Sequence, residues 1–357
     1  MNIQYQLPDL FNLSEIETKR VFKACNQAHQ ALGELKGIVN TMPNQGILLG
    51  TLPLQEAKDS SEIENIITTQ DDMYSSNYET QQFSSLAAKE VHRYAHAMHY
   101  AFDEIKKYQL ITLTTIKTIQ EILENNNAGF RCQSGTKLIN QRTGKNVYTP
   151  PQNIMEIEYH MSLLTRFIND SDEIDYDPLV KMALIHHQFE SIHPFYDGNG
   201  RTGRIINILY LIQQGLLDTP ILYLSRYINR NKADYYRLLQ DVRDTKNWED
   251  WLVFMLTGIE QTAKETILLV LEIKRLMGKH KQLLKEKAPK LYSHELLNNL
   301  YKYPYTKVDF VAKDCDIHRN TALRRLTELE QLTIVRRIKL GRETFYVNTE
   351  LFALLAK

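Results

Sequence analysis

The sequence predicts a mainly α-helical protein with one β-hairpin, a helical N-terminal segment and a C-terminal winged helix-turn-helix. Three observations predict it. Apolar residues recur three and four positions apart through most of residues 12–287, the spacing of helices buried on one side. One stretch, 130–151, instead alternates polar and apolar residues around Arg142-Thr143-Gly144, as a hairpin does. Beyond 290 the pattern becomes short helical segments followed by TIVRRIKLGRETFYV, which turns at Gly341.

In chain order, residues 12–40 set Val21, Phe22, Cys25, Ala28, Leu32 and Leu35 on one stripe, with Ser14 and Glu17 as a capping box. Pro43, Gly46, Gly50 and Pro53 read as a loop, followed by a second helical region within 52–75. Residues 83–125 read as helical, with Leu86, Val91, Ala95, Met98, Ala101 and Phe102 on one stripe, then Ile119 and Leu123, up to the Asn125–Gly129 cluster. After the hairpin, Pro150-Pro151 starts a helix through Ile154, Ile157, Met161, Leu164 and Phe167. A helix over 178–191 carries His186 and His187, which read as packing or polar-network residues. Trp248 and Trp251 read as core. A long helix from about 258 to 287 holds Ile267, Leu268, Leu271, Ile273 and Leu276 and stops at Pro289; its charged second half reads as a solvated linker. Finally, Val308, Phe310, Val311 and Ala312 suggest a short helix, and 316–329 a second one through Leu323, Leu326 and Leu329. The expected units are 1–110, 111–257, 258–289 and 290–357.

The 357 residues carry 43 Lys+Arg and 43 Asp+Glu, so net charge argues neither for nor against a nucleic acid or a membrane. Cys25, Cys132 and Cys315 stand in no metal-binding spacing, which suits reduced thiols in a cytosolic protein. The N-terminus lacks a basic region followed by an apolar core, and no run approaches the roughly 18 apolar residues of a membrane span. The expectation is a soluble, cytoplasmic protein with no membrane partner.

Residues 193–204, HPFYDGNGRTGR, concentrate the chemistry. Gly198, Gly200 and Gly203 lie where a loop enters a helix (Ile205, Ile208, Leu209, Ile212) that Gly215 stops. There, unpaired N–H groups and the helix dipole favour an anion, and glycine lets phosphate oxygens approach the backbone. Arg201 and Arg204 add charge-assisted hydrogen bonds to phosphate. Asp197 is a hard oxygen ligand suited to Mg²⁺ beside phosphates. His193 has the ordinary pKa, near ~6.5, of a general base at neutral pH. The combination points to transfer chemistry on a nucleotide. The run also matches the dinucleotide fingerprint GxGxxG, with Asp218 near the ribose offset, but that motif needs a preceding strand, and Ile185, Phe189 and Ile192 are at helical spacing.

Position by position, this run resembles the signature HxFx[D/E]GNGRxxR of the Fic (filamentation induced by cAMP) family. The resemblance covers roughly residues 10–290 and implies a Fic-type helical core in which AMP moves from ATP to a Tyr, Thr or Ser hydroxyl of a target protein, or of the chain itself. It implies that His193 deprotonates that hydroxyl, Asp197 binds Mg²⁺, Phe195 plugs the loop into the core, and Gly198, Asn199 and Gly200 line the anion hole. Arg201, Thr202, Gly203 and Arg204 complete the nucleotide contacts. SSEIEN at 60–65 matches the family's inhibitory motif [S/T]xxxE[G/N], which implies that Ser60 and Glu64 take Arg204 away from the γ-phosphate. Ser61-Glu62-Ile63-Glu64 is also a capping box, and that alternative stays open.

By position the hairpin resembles the Fic flap that pairs with the target backbone, with Val147 and Tyr148 as contact residues. Tyr235 and Tyr236 look like the aromatic pair bordering adenine and ribose. Neighbours on a helix point apart, so one should stack and the other hydrogen-bond or face the core. Arg243 stands near where some relatives have an Asn to the ribose. Rival readings are removal of AMP with Glu64 orienting water, another phosphate donor, or a transcriptional regulator that only senses nucleotide. For the last, residues 306–342 hold nine Lys/Arg against five Asp/Glu. DNA would meet His318, Arg319, Asn320, Arg324 and Arg325 in the groove, with Arg336, Arg337 and Arg342 on phosphates. The module equally suits dimerisation or target docking, and a homodimer is expected.

Overall fold

The computed structural model describes residues 6–76, 81–139, 144–170, 175–341 and 343–356. The chain is mainly helical, with two small sheets. Helix α1 (Lys19–Val39) buries Val21, Cys25, Ala28, Leu32 and Leu35 of the expected stripe but leaves Phe22 exposed, and its cap is Thr18, whose hydroxyl accepts the Val21 N–H. The expected Ser14–Glu17 box does not form, because Glu17 Oε1 accepts the Asp177 N–H at 2.8 Å.

Helix α2 (Gly46–Ile63) runs through the segment read as a loop, with Pro53 inside it. Tertiary packing overrides local propensity here. Gly50 meets the carbonyl of Lys302 so closely that an added Cβ would stand 2.9 Å from that oxygen. Because α2 begins at Gly46, Ser61–Glu64 forms its end and not a start. The capping-box alternative is therefore overturned, and Glu64 is the C-cap residue.

α3 (Gln70–Ser75), α4 (Leu86–Tyr108) and α5 (Leu113–Glu124) follow. The two segments expected within 83–125 meet at Gln109, in the left-handed region at φ 55°, and Leu86, expected on the buried stripe, is exposed. The hairpin pairs β1 (Leu138–Ile139) with β2 (Asn146–Tyr148), antiparallel; the proposed turn residues Arg142 and Thr143 lie outside the described residues. α6 (Ile154–Asn169), α7 (Pro178–Ile192) and α8 (Asn199–Gln213) form the centre. α7 and α8 are buried on nearly every side, and the polar residues they bring inside, among them His186, Glu190, Arg201 and Arg204, cluster towards the loop that joins them.

α9 (Leu224–Arg230) and α10 (Lys232–Thr245) lead into α11, one helix of 40 residues from Trp248 to Lys287 that runs straight through the boundary expected at 257/258. Trp248 and Trp251 are buried on it, whereas Leu268 and Leu271 are exposed. Helix α1 packs along α11. The C-terminal part contains α12 (His294–Lys302), β3 (Tyr305–Thr306), α13 (Val308–Asp314), α14 (Arg319–Gln331), β4 (Arg336–Leu340), β5 (Glu343–Val347) and α15 (Thr349–Leu355). Its strands form one antiparallel sheet in the order β3-β5-β4. Arg342 lies outside the described residues. This part packs on the N-terminal helices: the Tyr305 hydroxyl bonds Asp71, and the Tyr74 ring stacks on Tyr305 with centroids 6.5 Å apart. Among the described residues, no helix is long and apolar enough to cross a membrane.

Candidate active site

The loop from His193 to Gly198 joins the C-terminus of α7 to the N-terminus of α8. His193 ends α7 in the left-handed region (φ 50°, ψ 60°), its N–H still bonded to the Phe189 carbonyl. Phe195 is fully buried against Phe130 and Phe189 and anchors the loop. Asn199 locks it: its Oδ1 accepts the Phe195 N–H and its Nδ2 donates to the Phe195 carbonyl, both at 2.9 Å. The Asn199 side chain therefore braces the turn, leaving only its N–H to face an anion. Gly198, at φ 78°, caps α8 in a conformation an L side chain rarely adopts. The first N–H groups of α8, at Asn199, Gly200 and Arg201, have no intrahelical acceptor by position. Thr202 and Gly203 lie in the next turn, where the Thr202 N–H bonds the Gly198 carbonyl at 2.9 Å.

The His193 imidazole is pushed down to about 4, first by burial and then by Arg131 and Arg243, so it is neutral at pH 7. Its Nδ1 is buried without a partner. Arg131, fully buried, donates through Nε to the His193 carbonyl at 2.8 Å and through NH2 to the Pro151 carbonyl, tying the hairpin's base to the turn after α7. Sequence reading missed Arg131, because its partners are backbone carbonyls far along the chain.

Arg204 is buried, and its guanidinium bonds residues of α2 and its end. Its Nε donates to Ser60 Oγ at 2.7 Å, and its NH2 donates to the Ser60 carbonyl at 3.0 Å and to Glu64 Oε1 at 2.8 Å. Burial drives the Glu64 carboxyl up, but Arg204 outweighs it together with Arg201 and Lys232, and the group ends below its ordinary value. Glu64 Oε1 also lies against Gly200, where a Cβ would collide with it and stand 2.9 Å from Arg204 NH1. A carboxylate thus already sits on the first turn of α8.

Arg201 is held elsewhere than expected: NH1 donates to Glu90 at 3.0 Å and NH2 to Glu124 at 2.7 Å. Neither glutamate was signalled by sequence, since each is an ordinary polar position on its own helix. Burial raises the Glu124 carboxyl, with Arg201 opposing. Glu190 is a further acid beside the site, pushed up to about 7 by burial, with its Oε1 buried and unpartnered.

Asp197 is exposed; Oδ1 accepts the Gly198 N–H at 2.7 Å. Among the described residues no group of three or more His, Cys, Asp or Glu could hold a metal. What Asp197 offers is a one-carboxylate position, which suits Mg²⁺ completed by phosphate and water.

The two tyrosines diverge. Tyr235 is buried, and its hydroxyl meets His186 Nε2 at 2.8 Å, with Asn207 on the other ring nitrogen at 3.0 Å. Tyr236 is exposed at the rim, its ring 5.1 Å from that of Tyr235. On the hairpin Val147 is exposed, whereas Tyr148 turns inward: its hydroxyl donates to the Ser191 carbonyl at 2.9 Å, and Arg243 covers its ring at 4.2 Å. A side-chain contact from Tyr148 to a docked target does not fit this burial. His186 and His187 are fully buried, packed against Trp251.

Three family models match the chain in succession: Fic/DOC family N-terminal over 22–103, Fic/DOC family over 110–211, and the C-terminal domain of SoFic-like protein adenylyltransferases over 276–351. The chain is similar to probable protein adenylyltransferase aq_aa38 of Aquifex aeolicus (strain VF5), 27% identical over 186 residues that cover 51% of this chain and 54% of that protein. It is also similar to protein adenylyltransferase fic-1 of Caenorhabditis elegans, 33% identical over 94 residues, 26% of this chain and 17% of that one. The chain thus spans 54% of the length of the first of these relatives and 17% of the second. Among solved structures it resembles a Fic family protein from Desulfovibrio desulfuricans G20, with a TM-score of 0.56 at 17% identity over 92% of this chain and 96% of that one. A fragment of C. elegans Fic-1 gives a TM-score of 0.54 at 16% identity over 70% and 74%. At these identities the structural likeness is one of fold.

Proposed function

Because the chain belongs to the Fic/DOC family, matched in its N-terminal, central and C-terminal parts, we propose that it transfers AMP from ATP to a Tyr, Thr or Ser hydroxyl of a protein, and that Glu64 restrains this activity. The observation that carries the reading is at Gly200: the start of α8 is built to receive an anion, and the anion now on it is Glu64, bonded to Arg204 at 2.8 Å.

In the reaction, neutral His193 takes the proton of the target hydroxyl at Nε2, since Nδ1 is buried. The hydroxyl oxygen bonds to the α-phosphorus as the bond to the β-phosphate bridging oxygen breaks, and pyrophosphate leaves. The free N–H groups of Asn199, Gly200 and Arg201 stabilise the charge that grows on the α-phosphate oxygens. Tyr236 is placed at the rim to stack on the base. Asp197 would hold Mg²⁺, which when bound neutralises phosphate charge. The hairpin offers its backbone to an extended target segment, with Val147 on its exposed side.

Restraint follows from competition. With Glu64 on Arg204, a γ-phosphate finds its cation already neutralised, and a displaced triphosphate leaves the α-phosphorus out of line. Incubation with ATP labelled on its α-phosphate tests both halves. Glu64→Gly should raise self-labelling well above the unaltered chain, and adding His193→Ala should abolish it. No label on folded Glu64→Gly, with or without candidate targets, would overturn the assignment.

A further inference from the structure

The first turn of α8 carries two carboxylates. Glu64 faces Gly200, and Glu124, the last residue of α5, faces Gly198, where an added Cβ would stand 2.6 Å from Glu124 Oε1. Each carboxylate also holds one arginine of the loop: Glu64 with Arg204 at 2.8 Å, Glu124 with Arg201 at 2.7 Å. Both positions therefore combine a carboxylate oxygen, a glycine and a guanidinium. The Glu124 side chain is 14% exposed and that of Glu64 35%, so neither carboxylate lies open to solvent.

We propose that Glu124 is a second internal anion of the phosphate site, standing at its Gly198 end as Glu64 stands at its Gly200 end. This rests on the nucleotide-transfer reading above. Removing the Glu64 side chain frees Arg204, the cation assigned to the terminal phosphate, and uncovers Gly200, but leaves Arg201 as it was. The inner phosphates still meet an Arg201 neutralised by Glu124 and repelled further by the carboxylate itself. Glu90 has a different part. It bonds Arg201 at 3.0 Å but faces neither glycine, so it keeps Arg201 oriented once Glu124 gives way. The chain therefore has two graded restraints on one nucleotide, an outer one at Glu64 and an inner one at Glu124.

ADP separates them, because it lacks the γ-phosphate that competes with Glu64 for Arg204, and Gln at position 64 still covers Gly200. Titration calorimetry of the full chain with ADP and Mg²⁺ should show Glu124→Gln binding about tenfold tighter than the unaltered chain, equivalent to about 1.4 kcal/mol. Glu64→Gln should tighten ATP while leaving ADP within about threefold, and Glu90→Gln should also leave ADP within about threefold. Glu124→Asp withdraws the carboxylate without removing its charge and should give a smaller gain; it serves if Glu124→Gln does not fold. If folded Glu124→Gln, or Glu124→Asp in its place, binds ADP no more tightly than the unaltered chain, Glu124 is a strut for Arg201 and the proposal is overturned. If Glu90→Gln tightens ADP as much as Glu124→Gln, freeing Arg201 is the whole effect and the proposal is again overturned. If no variant binds ATP, Glu64→Gln included, the nucleotide reading fails first and this inference with it.

Discussion

Replacing Glu64 by Gln keeps the shape of the Arg204 contact and removes its charge, so it isolates the electrostatics of the restraint. The intact bond is 2.8 Å long between a guanidinium whose side chain is 2% exposed and a carboxylate 35% exposed. Breaking a fully buried ion pair costs about 3–5 kcal/mol. Partial exposure of Glu64 and the retained Ser60 bonds reduce this to roughly 1–2 kcal/mol. At roughly 2.1 cal/mol/K of unfolding entropy per residue, that lowers the melting temperature of a 357-residue chain by about 1–3 °C without ligand. Saturating ATP with Mg²⁺ should reverse the order, because a ligand at a hundred times its Kd adds about 2.7 kcal/mol, and the variant binds more tightly. The sign with pH is fixed. The Glu64 pKa lies below its ordinary 4.5, so its contribution is full above 4.5 and fades as pH falls through the folded value. Thermal melts with and without MgATP at pH 7.5 and pH 4 check this. A variant that melts no lower without ATP, or gains no more from ATP than the unaltered chain, refutes the electrostatic argument.

Three other outcomes follow from the same geometry. With His193 held near 4, below its ordinary 6.5, the base stays neutral as pH falls. The acid limb of the pH–rate profile of Glu64→Gly should therefore lie near 4–5, and a limb at 6–7 would show the imidazole to be unshifted. Phe195→Ala empties the buried anchor between Phe130 and Phe189 and should cost about 3–5 kcal/mol, seen as a lower urea midpoint; a loss below about 1 kcal/mol would mean the turn is held by Asn199 alone. Gly50→Ala puts a methyl 2.9 Å from the Lys302 carbonyl, a backbone atom that cannot swing aside, and should destabilise by about 1–3 kcal/mol; unchanged melting would show that α2 and α12 part freely.

The turn from His193 to Arg204 was legible in the sequence because its parts are contiguous: a histidine, an aspartate, three glycines and two arginines fall within twelve residues, and one loop must bring them together. The Ser60–Glu64 contact with Arg204 was legible only through resemblance, since 140 residues separate Glu64 from its arginine. Glu90 and Glu124 were illegible. Each looks like a solvated helix position, and only the crossing of α4 and α5 over α8 turns them toward Arg201. The start of α2 was misread for a related reason. Proline and glycine signal a break locally, but Gly50 serves a helix crossing, where the absent side chain matters more than backbone freedom. Tyr148 reads as a docking residue only through the hairpin's likeness in position to the Fic flap, yet Arg243 covers its ring and its hydroxyl bonds the Ser191 carbonyl.

Helix α11 imposes a phase on the molecule. Its 40 residues span about 60 Å and carry the chain from the N-terminal helices to the C-terminal sheet with no proline between them. The C-terminal part is fastened where Lys279 meets Glu350 at 2.7 Å, and again where Tyr305 reaches Asp71 of α3. Adding or removing one residue along that rod would turn the C-terminal module by about 100°, so that Tyr305 would point away from α3. Length changes there should be tolerated only in whole turns, which ties the spacing between the two halves as firmly as any contact between them.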